Sequence, residues 1–230
     1  MNEFFANSAT VGVVISLLAY QIGMVINRKT KKAIYNPLLI SIILVIAFLL
    51  IFDVDYDSYG QSAKYISYLL TPATVSLAIP LYEKIELLKK HFKAVLIGIT
   101  SGVLTSFLSI LGMAVAFQLS HQEYVTLLPK SITTAIGLGI SEEFGGYVSI
   151  TASAIIITGI LGNMIGPAVC KLFGIKHAIS KGLAIGTSSH AVGTTKAMEM
   201  GEVEGAMSSL SIVVAGLLTV ILASVFAMLY

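Results

Sequence analysis

The chain has 230 residues, of which 56% are hydrophobic and 11% are charged, and its mean hydropathy is +0.91. Because a soluble domain carries about 25% charged residues, this composition nearly excludes a soluble fold. The single cysteine, Cys170, excludes an intramolecular disulfide framework. The formal net charge of +2 becomes informative only when its distribution along the chain is considered.

Six apolar stretches of membrane-spanning length follow one another along the chain. No basic region precedes the first, residues 8–26, so we interpret it as a retained span and not as a cleaved signal peptide. Crossing about 30 Å of hydrocarbon takes roughly 20 helical residues, so the second and third stretches are short and the fourth is long enough to tilt. The other five are residues 37–52, 66–82, 94–119, 147–170 and 207–230.

Two further segments are apolar but rich in Pro, Gly, Ser and Thr, and each carries an ionisable residue. They are residues 127–143 (LLPKSITTAIGLGISEE) and 182–197 (GLAIGTSSHAVGTTKA). Within a membrane, non-helical backbone is tolerated only where it is buried in protein or lines a water-filled cavity. We therefore expect both segments to be re-entrant or broken helices that line a substrate path.

The charges predict a topology. Basic residues cluster within residues 28–32, 84–93 and 171–181, whereas residues 53–57 are acidic. By the positive-inside rule the three basic loops are cytoplasmic, which places both termini outside the cell. This arrangement gives six full spans, provided that the segment around Lys130 enters and leaves on the external side.

A short internal repeat favours a different count. Residues 72–81 resemble residues 129–138. Gly102 and Gly159 are separated by the same number of residues as these two runs. If both copies cross the membrane, eight segments cross it and the third basic loop is external. We favour six spans, because charge bias is a stronger signal than a short similarity between apolar helices, and the C-terminus is external in both arrangements.

The predicted fold is therefore an all-α integral membrane protein with about six full transmembrane helices plus two re-entrant or broken segments. Eight crossing segments are the alternative. We expect one polytopic membrane domain over residues 1–230, with residues 1–60 as an N-terminal two-helix scaffold and residues 61–230 as a repeat-containing transport core.

The polar segments predict a pair of half-helices. Half-helix N-termini present free N–H groups and partial positive charge to an anion, and Pro72 and Pro129 are each expected to open one. In the alternative interpretation the hydroxyls bond back to their own helices and the prolines only kink them. The candidate hydroxyls are those of Thr74, Ser76, Ser131, Thr133 and Thr134.

Lys130 directly follows Pro129 in apolar surroundings. An unpaired ammonium within a membrane costs on the order of 3 kcal/mol, which a bound anion would offset. Alternatively, the lysine stem lets the charge reach a nearby interface.

His190 is the histidine that falls in a membrane-level segment. On a continuous helix it shares one face with Thr187 and Thr194, since the three lie at i, i+3 and i+7. Histidine titrates near physiological pH, so His190 is a candidate ligand or proton carrier, and a structural histidine is the alternative. Gly186 and Gly193 keep the nearby backbone bare enough for close packing or for the approach of a ligand.

Three of these runs resemble the LrgB/CidB family of bacterial membrane proteins. They are residues 71–82 (TPATVSLAIPLY), 128–134 (LPKSITT) and 181–194 (KGLAIGTSSHAVGT), and the likeness covers nearly the whole chain. The resemblance implies either of two functions. Members are described as antiholin-like or holin-like proteins that act with a small LrgA/CidA-type membrane partner to control murein hydrolase activity and cell lysis. Plastid relatives export glycolate and glycerate, and bacterial members are linked to uptake of pyruvate or similar carboxylates.

We favour transport of small carboxylates, coupled to an ion or proton gradient, with the antiholin-like regulator as the alternative. Broken, hydroxyl-rich segments suit a small anion, whereas a holin needs mainly oligomerising apolar helices. The resemblance implies that the substrate site is formed by Pro72, Thr74, Ser76, Pro129, Lys130, Ser131, Thr133, Thr134, Gly186, Thr187, Ser188, His190 and Gly193.

Other expectations concern chemistry and partners. No Gly-Lys-Ser phosphate loop, His-Glu-x-x-His pair or Gly-x-Ser-x-Gly elbow is present in the sequence, so neither an enzyme nor a metal or other cofactor is expected. We expect a homodimer in the bacterial cell membrane, because symmetric homo-oligomers are common and small-residue faces are available. No nucleic-acid partner is expected.

Overall fold

The computed structural model describes residues 8, 10–30, 32–76 and 78–230. These residues form helices and no strands, which confirms the predicted all-α fold. The chain divides into two compact units, Met1–Ser76 and Leu77–Tyr230. The predicted division at residue 60 within a single membrane domain stays a prediction.

The first unit is built on two apolar helices, α1 and α2. Asn36 begins α2, since its side-chain oxygen accepts hydrogen bonds from the backbone of Leu38 (2.9 Å) and Leu39 (3.2 Å) and Pro37 follows at the first helical position. The elements of this unit are α1 (Val11–Thr30), a 3-10 turn (Ala33–Tyr35), α2 (Pro37–Ile51), α3 (Tyr56–Ala63), a 3-10 helix (Lys64–Leu69) and α4 (Leu70–Ser76).

The second unit is a bundle of long and short helices. Its elements are α5 (Ala78–Glu83), α6 (Ile85–Phe117), α7 (His121–Leu127), α8 (Thr134–Glu143), α9 (Val148–Leu172), α10 (Ala178–Met200) and α11 (Glu202–Ala227). The backbone leaves helical geometry within α6 at His91 and within α10 at His190. Each of these two helices is thus made of two helical pieces.

The apolar core of the second unit lies where α6, α7 and α11 meet. The rings of Phe107 and Phe226 stack with their centroids 4.7 Å apart. Tyr124 is fully buried beside them, and its hydroxyl donates a 2.8 Å hydrogen bond to the backbone oxygen of Phe226. A buried tyrosine hydroxyl needs such a partner, so this bond fixes α7 against the end of α11.

Among the described residues, four helical stretches are long and apolar enough to cross a membrane: α1, Lys89–Phe117 of α6, α9 and α11. They correspond to four of the six predicted spans, and α2 is a shorter apolar helix at the position of the second. The third predicted span, residues 66–82, is not one helix. The 3-10 helix and the short helices α4 and α5 occupy it, and Pro72 and Pro80 fall within those two short helices.

Candidate functional site

A cavity of about 800 Å³ lies within the second unit. Its walls are α6, α9 and α10, and the turn between α7 and α8 contributes Lys130 and Ser131. In its described lining Lys130 is the one charged side chain, and the polar remainder is mostly serine and threonine. The cavity is therefore a hydroxyl-rich space with a single positive charge.

Lys130 is held by two serines. Its ammonium donates to Ser131 Oγ at 2.9 Å and lies 3.5 Å from Ser106 Oγ on α6, and the two serine oxygens are 3.1 Å apart. Among the described residues no carboxylate forms an ion pair with this ammonium. Two hydroxyls satisfy part of its hydrogen-bonding capacity but leave its charge uncompensated.

A small recess of about 10 Å³ adjoins this cluster. Ser106, Ser131 and Thr187 line both the recess and the large cavity, and Thr219 of α11 lines the recess. The recess has about the size needed for one water molecule or one oxygen atom. It is therefore a pocket for a single atom beside a cavity for a molecule.

Thr187 is unusual among the buried hydroxyls. Its side chain is 7% exposed, and its Oγ1 is the one buried side-chain polar atom in the described part of the chain without a hydrogen-bond partner. Leaving a buried hydroxyl unpaired costs about 1–3 kcal/mol. Its methyl group packs toward Gly102, where an added Cβ would lie 2.7 Å from Thr187 Cγ2.

The break in α10 occurs at His190, whose φ of 43° and ψ of −139° are rare for a residue with a side chain. The ring Nε2 donates to the Ile155 oxygen of α9 at 3.0 Å, and this carbonyl fixes the proton on Nε2. Asn163 of α9 donates to the Val192 oxygen at 2.9 Å. Helix α9 thus supplies partners to both the ring and the interrupted backbone.

Helix α11 holds the other side of the break. Thr194 donates to the His190 oxygen at 2.9 Å and shares a 2.7 Å hydrogen bond with Ser208 of α11. All three residues are buried. Thr194 therefore ties the second piece of α10 to its neighbour and has no free donor for another ligand.

With this geometry described, comparison with known proteins identifies the family. The family model described as "LrgB-like family" matches residues 16–229. The chain belongs to the LrgB-like family. Proteins named "Antiholin-like protein LrgB" from Bacillus cereus (strain B4264) and Bacillus anthracis (strain A0248) are each 38% identical to it over 216 residues, which is 94% of this chain and 94% of each relative. No solved structure matches it significantly.

Family membership and the apolar helices together make this LrgB-family chain a multi-pass membrane protein. The predicted resemblance is confirmed, and so is its extent over nearly the whole chain. The names of the relatives support the antiholin-like alternative more directly than they support transport.

The cavity and its recess bring together part of the predicted LrgB-family site. The predicted residues that line one or both spaces are Pro129, Lys130, Ser131, Thr187 and Ser188. Thr133 and Thr134 do not line the described cavity. Gly186 and Gly193 also lie outside its lining, because an added Cβ at these positions would meet Ser208 and Ser189 respectively.

Two local predictions were wrong. Pro129 does not open a helix, since it lies in the turn after α7 and α8 begins five residues later at Thr134. Thr187, His190 and Thr194 do not share one helix face, because the backbone breaks at His190. His190 does not line the described cavity, and its bond to Ile155 matches the structural alternative. A role for it in ligand or proton contact stays a prediction.

The first half-helix lies in the other unit. Pro72 falls within the first turn of α4, and Ser76 donates to the Pro72 oxygen at 2.6 Å, as the alternative interpretation describes. The side chain of Thr74 lies outside the described residues. A place for Pro72, Thr74 and Ser76 in the substrate site stays a prediction.

The contribution of α6 to the site was not predicted from the sequence. Ser106 lies in the Lys130 cluster, and Ser101, Thr105 and Ser109 line the same cavity wall. The spacing of four between the last three places them on one helix face and was a signal that could have been used. Gly98 and Gly102 belong to the same wall.

Proposed function

We propose that this LrgB-family chain carries small carboxylates, of the size of pyruvate, lactate or glycolate, across the bacterial cell membrane through the cavity. The observation that supports this most directly is the position of Lys130. It is the one charged side chain in the described lining, and no carboxylate of the described residues pairs with it. An ammonium within a membrane protein is stabilised by a counter-anion, and a substrate carboxylate can act as one.

The hydroxyl lining supports the same proposal. Serine and threonine hydroxyls donate hydrogen bonds to carboxylate and hydroxyl oxygens, and the apolar side chains between them suit a short carbon chain. Transport against a gradient requires an energy source, so we further propose coupling to an ion or proton gradient. The proposed assembly is a homodimer with both termini outside the cell.

A second function is favoured by the names of the relatives. In this alternative the chain is an antiholin-like regulator, as the relatives are named. We propose, from the family resemblance, that such a regulator acts with a small LrgA/CidA-type membrane partner to control murein hydrolase activity and cell lysis. Control of lysis would then depend on the apolar faces that meet the partner helix and not on Lys130. The two functions are compatible if lysis responds to carboxylate flux.

Uptake into proteoliposomes tests transport. The purified chain alone is reconstituted, and uptake of labelled pyruvate, lactate and glycolate is measured with and without an imposed proton or sodium gradient. We expect saturable uptake that is lost in Lys130→Ala and kept in Lys89→Ala, a matched control whose ammonium is exposed and paired with Glu86. Absence of uptake of every anion, in tight liposomes with folded protein, would overturn the transport proposal.

A lysis assay separates the two functions in cells. If transport underlies control of lysis, Lys130→Ala loses both activities together. Full control of lysis by a Lys130→Ala protein that transports nothing would assign the regulatory activity to another surface of the chain.

A further inference from the structure

We infer that Ser106, Lys130, Ser131 and Thr187 form a head-group site for one carboxylate, and that the site selects monocarboxylates over dicarboxylates. This inference rests on the proposed carboxylate function and adds the position of the head group and a charge selectivity. Ser106 was not among the site residues predicted from the sequence, and Thr187 supplies its unpaired hydroxyl.

Three separate elements converge on the site. Ser106 comes from α6, Lys130 and Ser131 come from the turn after α7, and Thr187 comes from the first piece of α10. The Lys130 ammonium lies 2.9 Å from Ser131 Oγ and 3.5 Å from Ser106 Oγ. Because the two serines and Thr187 line both the recess and the large cavity, the site lies at the junction between these two spaces.

The recess defines which part of a ligand enters. Its volume of about 10 Å³ admits one oxygen atom, whereas the adjoining cavity of about 800 Å³ has room for the rest of the molecule. A carboxylate fits this division, with one oxygen directed into the recess and the other toward the Lys130 ammonium.

Thr187 is the observation that points to a ligand. A helical threonine can satisfy its hydroxyl on the carbonyl four residues before it, as Thr194 does on His190. Thr187 Oγ1 instead has no partner in the described part of the molecule although it is buried. A carboxylate oxygen in the recess would accept its proton, and hydrogen bonds to charged acceptors are the stronger kind.

The charges of the lining set the selectivity. In the described lining there is one ammonium and no carboxylate, so a bound monocarboxylate gives a site with zero net charge. A dicarboxylate would leave one negative charge without a cationic partner, because the described lining other than Lys130 carries only neutral hydroxyl and apolar groups. Burying an unpaired charge is strongly unfavourable, so malonate or succinate should bind much more weakly than pyruvate or lactate.

Direct binding tests the site independently of transport. Binding of pyruvate, lactate, malonate and succinate to the detergent-purified full chain is measured by isothermal titration calorimetry. We expect Thr187→Val to weaken lactate binding about tenfold or more, and Thr187→Ser to keep it within about threefold. Ser106→Ala should also weaken binding. Ser153→Ala is the matched control, since Ser153 is exposed and bonds its own helix at Ser149.

The outcomes separate this inference from the proposed function. Binding with the expected variant pattern but without proteoliposome uptake supports the head-group site and overturns transport. Uptake by the unaltered chain, with unchanged lactate affinity in Thr187→Val, supports transport and overturns the site. Equal affinity for succinate and lactate overturns the charge selectivity. If a folded chain, shown by circular dichroism, neither binds nor transports any carboxylate, both proposals fail.

Discussion

The ring of His190 lies against the backbone of Gly159. A Cβ atom added at Gly159 would lie 2.8 Å from His190 Cε1 and 2.9 Å from Nε2, closer than real side chains approach. The same ring nitrogen donates to Ile155 one helical turn earlier on α9. The position without a side chain therefore allows the histidine to reach the carbonyl.

Gly159→Ala should destabilise the protein by about 1–3 kcal/mol, since the added methyl group must displace a buried ring. Gly112→Ala is the matched control. Gly112 also lies in a long helix but an added Cβ there would meet no atom within 4 Å, so this change should stabilise the protein by about 0.5–1 kcal/mol. Unfolding in detergent, followed by circular dichroism, measures both effects. Equal effects of the two substitutions would contradict the close contact.

His190→Gly should be more stable than His190→Ala by about 1–2 kcal/mol. Both variants lose the bond to Ile155, but only alanine keeps a side chain at a φ of 43°. In an ordinary helix the order is reversed, since alanine is favoured over glycine. The difference in unfolding midpoint between His190→Gly and His190→Ala therefore tests whether the backbone at residue 190 is non-helical. A more stable alanine variant would mean that residue 190 is helical in solution.

Tyr124→Phe should cost about 0.5–1.5 kcal/mol, because it removes the 2.8 Å hydrogen bond to the Phe226 oxygen, which keeps the Leu229 backbone N–H as its other donor (3.1 Å). Tyr56→Phe is the control, since Tyr56 is 73% exposed and removal of its hydroxyl should change stability by less than about 0.5 kcal/mol. Thermal unfolding of the two purified variants provides the measurement. If their midpoints coincide, the bond does not contribute to folding.

Acid should weaken the start of α7. Hydrogen bonds from the Ser120 backbone N–H (2.7 Å) and hydroxyl (2.8 Å) hold the pKa of the Glu123 carboxyl below its usual value. A carboxyl with a lowered folded pKa stabilises the protein fully above its unfolded pKa, about 4.3, and this contribution is lost as the pH falls through the folded value.

The measurement for this capping box is the unfolding temperature between pH 7 and pH 3. At pH 7 the unaltered chain should unfold at a higher temperature than Glu123→Gln. This difference in unfolding temperature should shrink toward zero at pH 3. Ser120→Ala should reduce the pH dependence only in part, because it removes the hydroxyl but keeps the backbone N–H that donates to the same carboxylate. A difference that stays constant over the whole pH range would contradict this account.

Cysteine labelling tests the proposed orientation. In a Cys170→Ser background, Met228→Cys should react with a membrane-impermeant maleimide on intact cells, since Met228 is 85% exposed and the C-terminal end is proposed to be external. Arg28→Cys, in the first basic cluster, should react only after permeabilisation. The opposite pattern would invert the topology.

Hydropathy was sufficient for most of the fold, because long apolar helices have a strong signal in the sequence. It failed at residues 66–82, where the average is apolar but the described structure begins with the 3-10 helix Lys64–Leu69 and not with an α-helix. A broken helix within residues 182–197 was predicted from their composition, but the position of the break at His190 was not predictable from local sequence. Its geometry depends on partners from α9, the Ile155 carbonyl and the Asn163 side chain, that are distant along the chain.

The charged residue of the candidate site could be predicted from the sequence, whereas the serine on α6 could not. Lys130 stood out because an ammonium is rare in apolar surroundings, and the structure places it in a cavity. Ser106 did not stand out, since a serine in an apolar helix ordinarily bonds its own backbone. Only the convergence of α6 with the turn after α7 places its hydroxyl 3.1 Å from Ser131.

The partners of the break also determine which parts of the cavity wall can move. His190 and the Val192 oxygen are both bonded to α9, so α9 and the second piece of α10 form one tied pair. Between α6 and α10, by contrast, no hydrogen bond is found among the described residues, and Gly102 meets Thr187 through apolar atoms. If the chain carries carboxylates as proposed, a conformational change that alternately exposes the cavity to the two sides of the membrane would slide α6 past an intact α9–α10 pair without breaking a described hydrogen bond between α6 and α10.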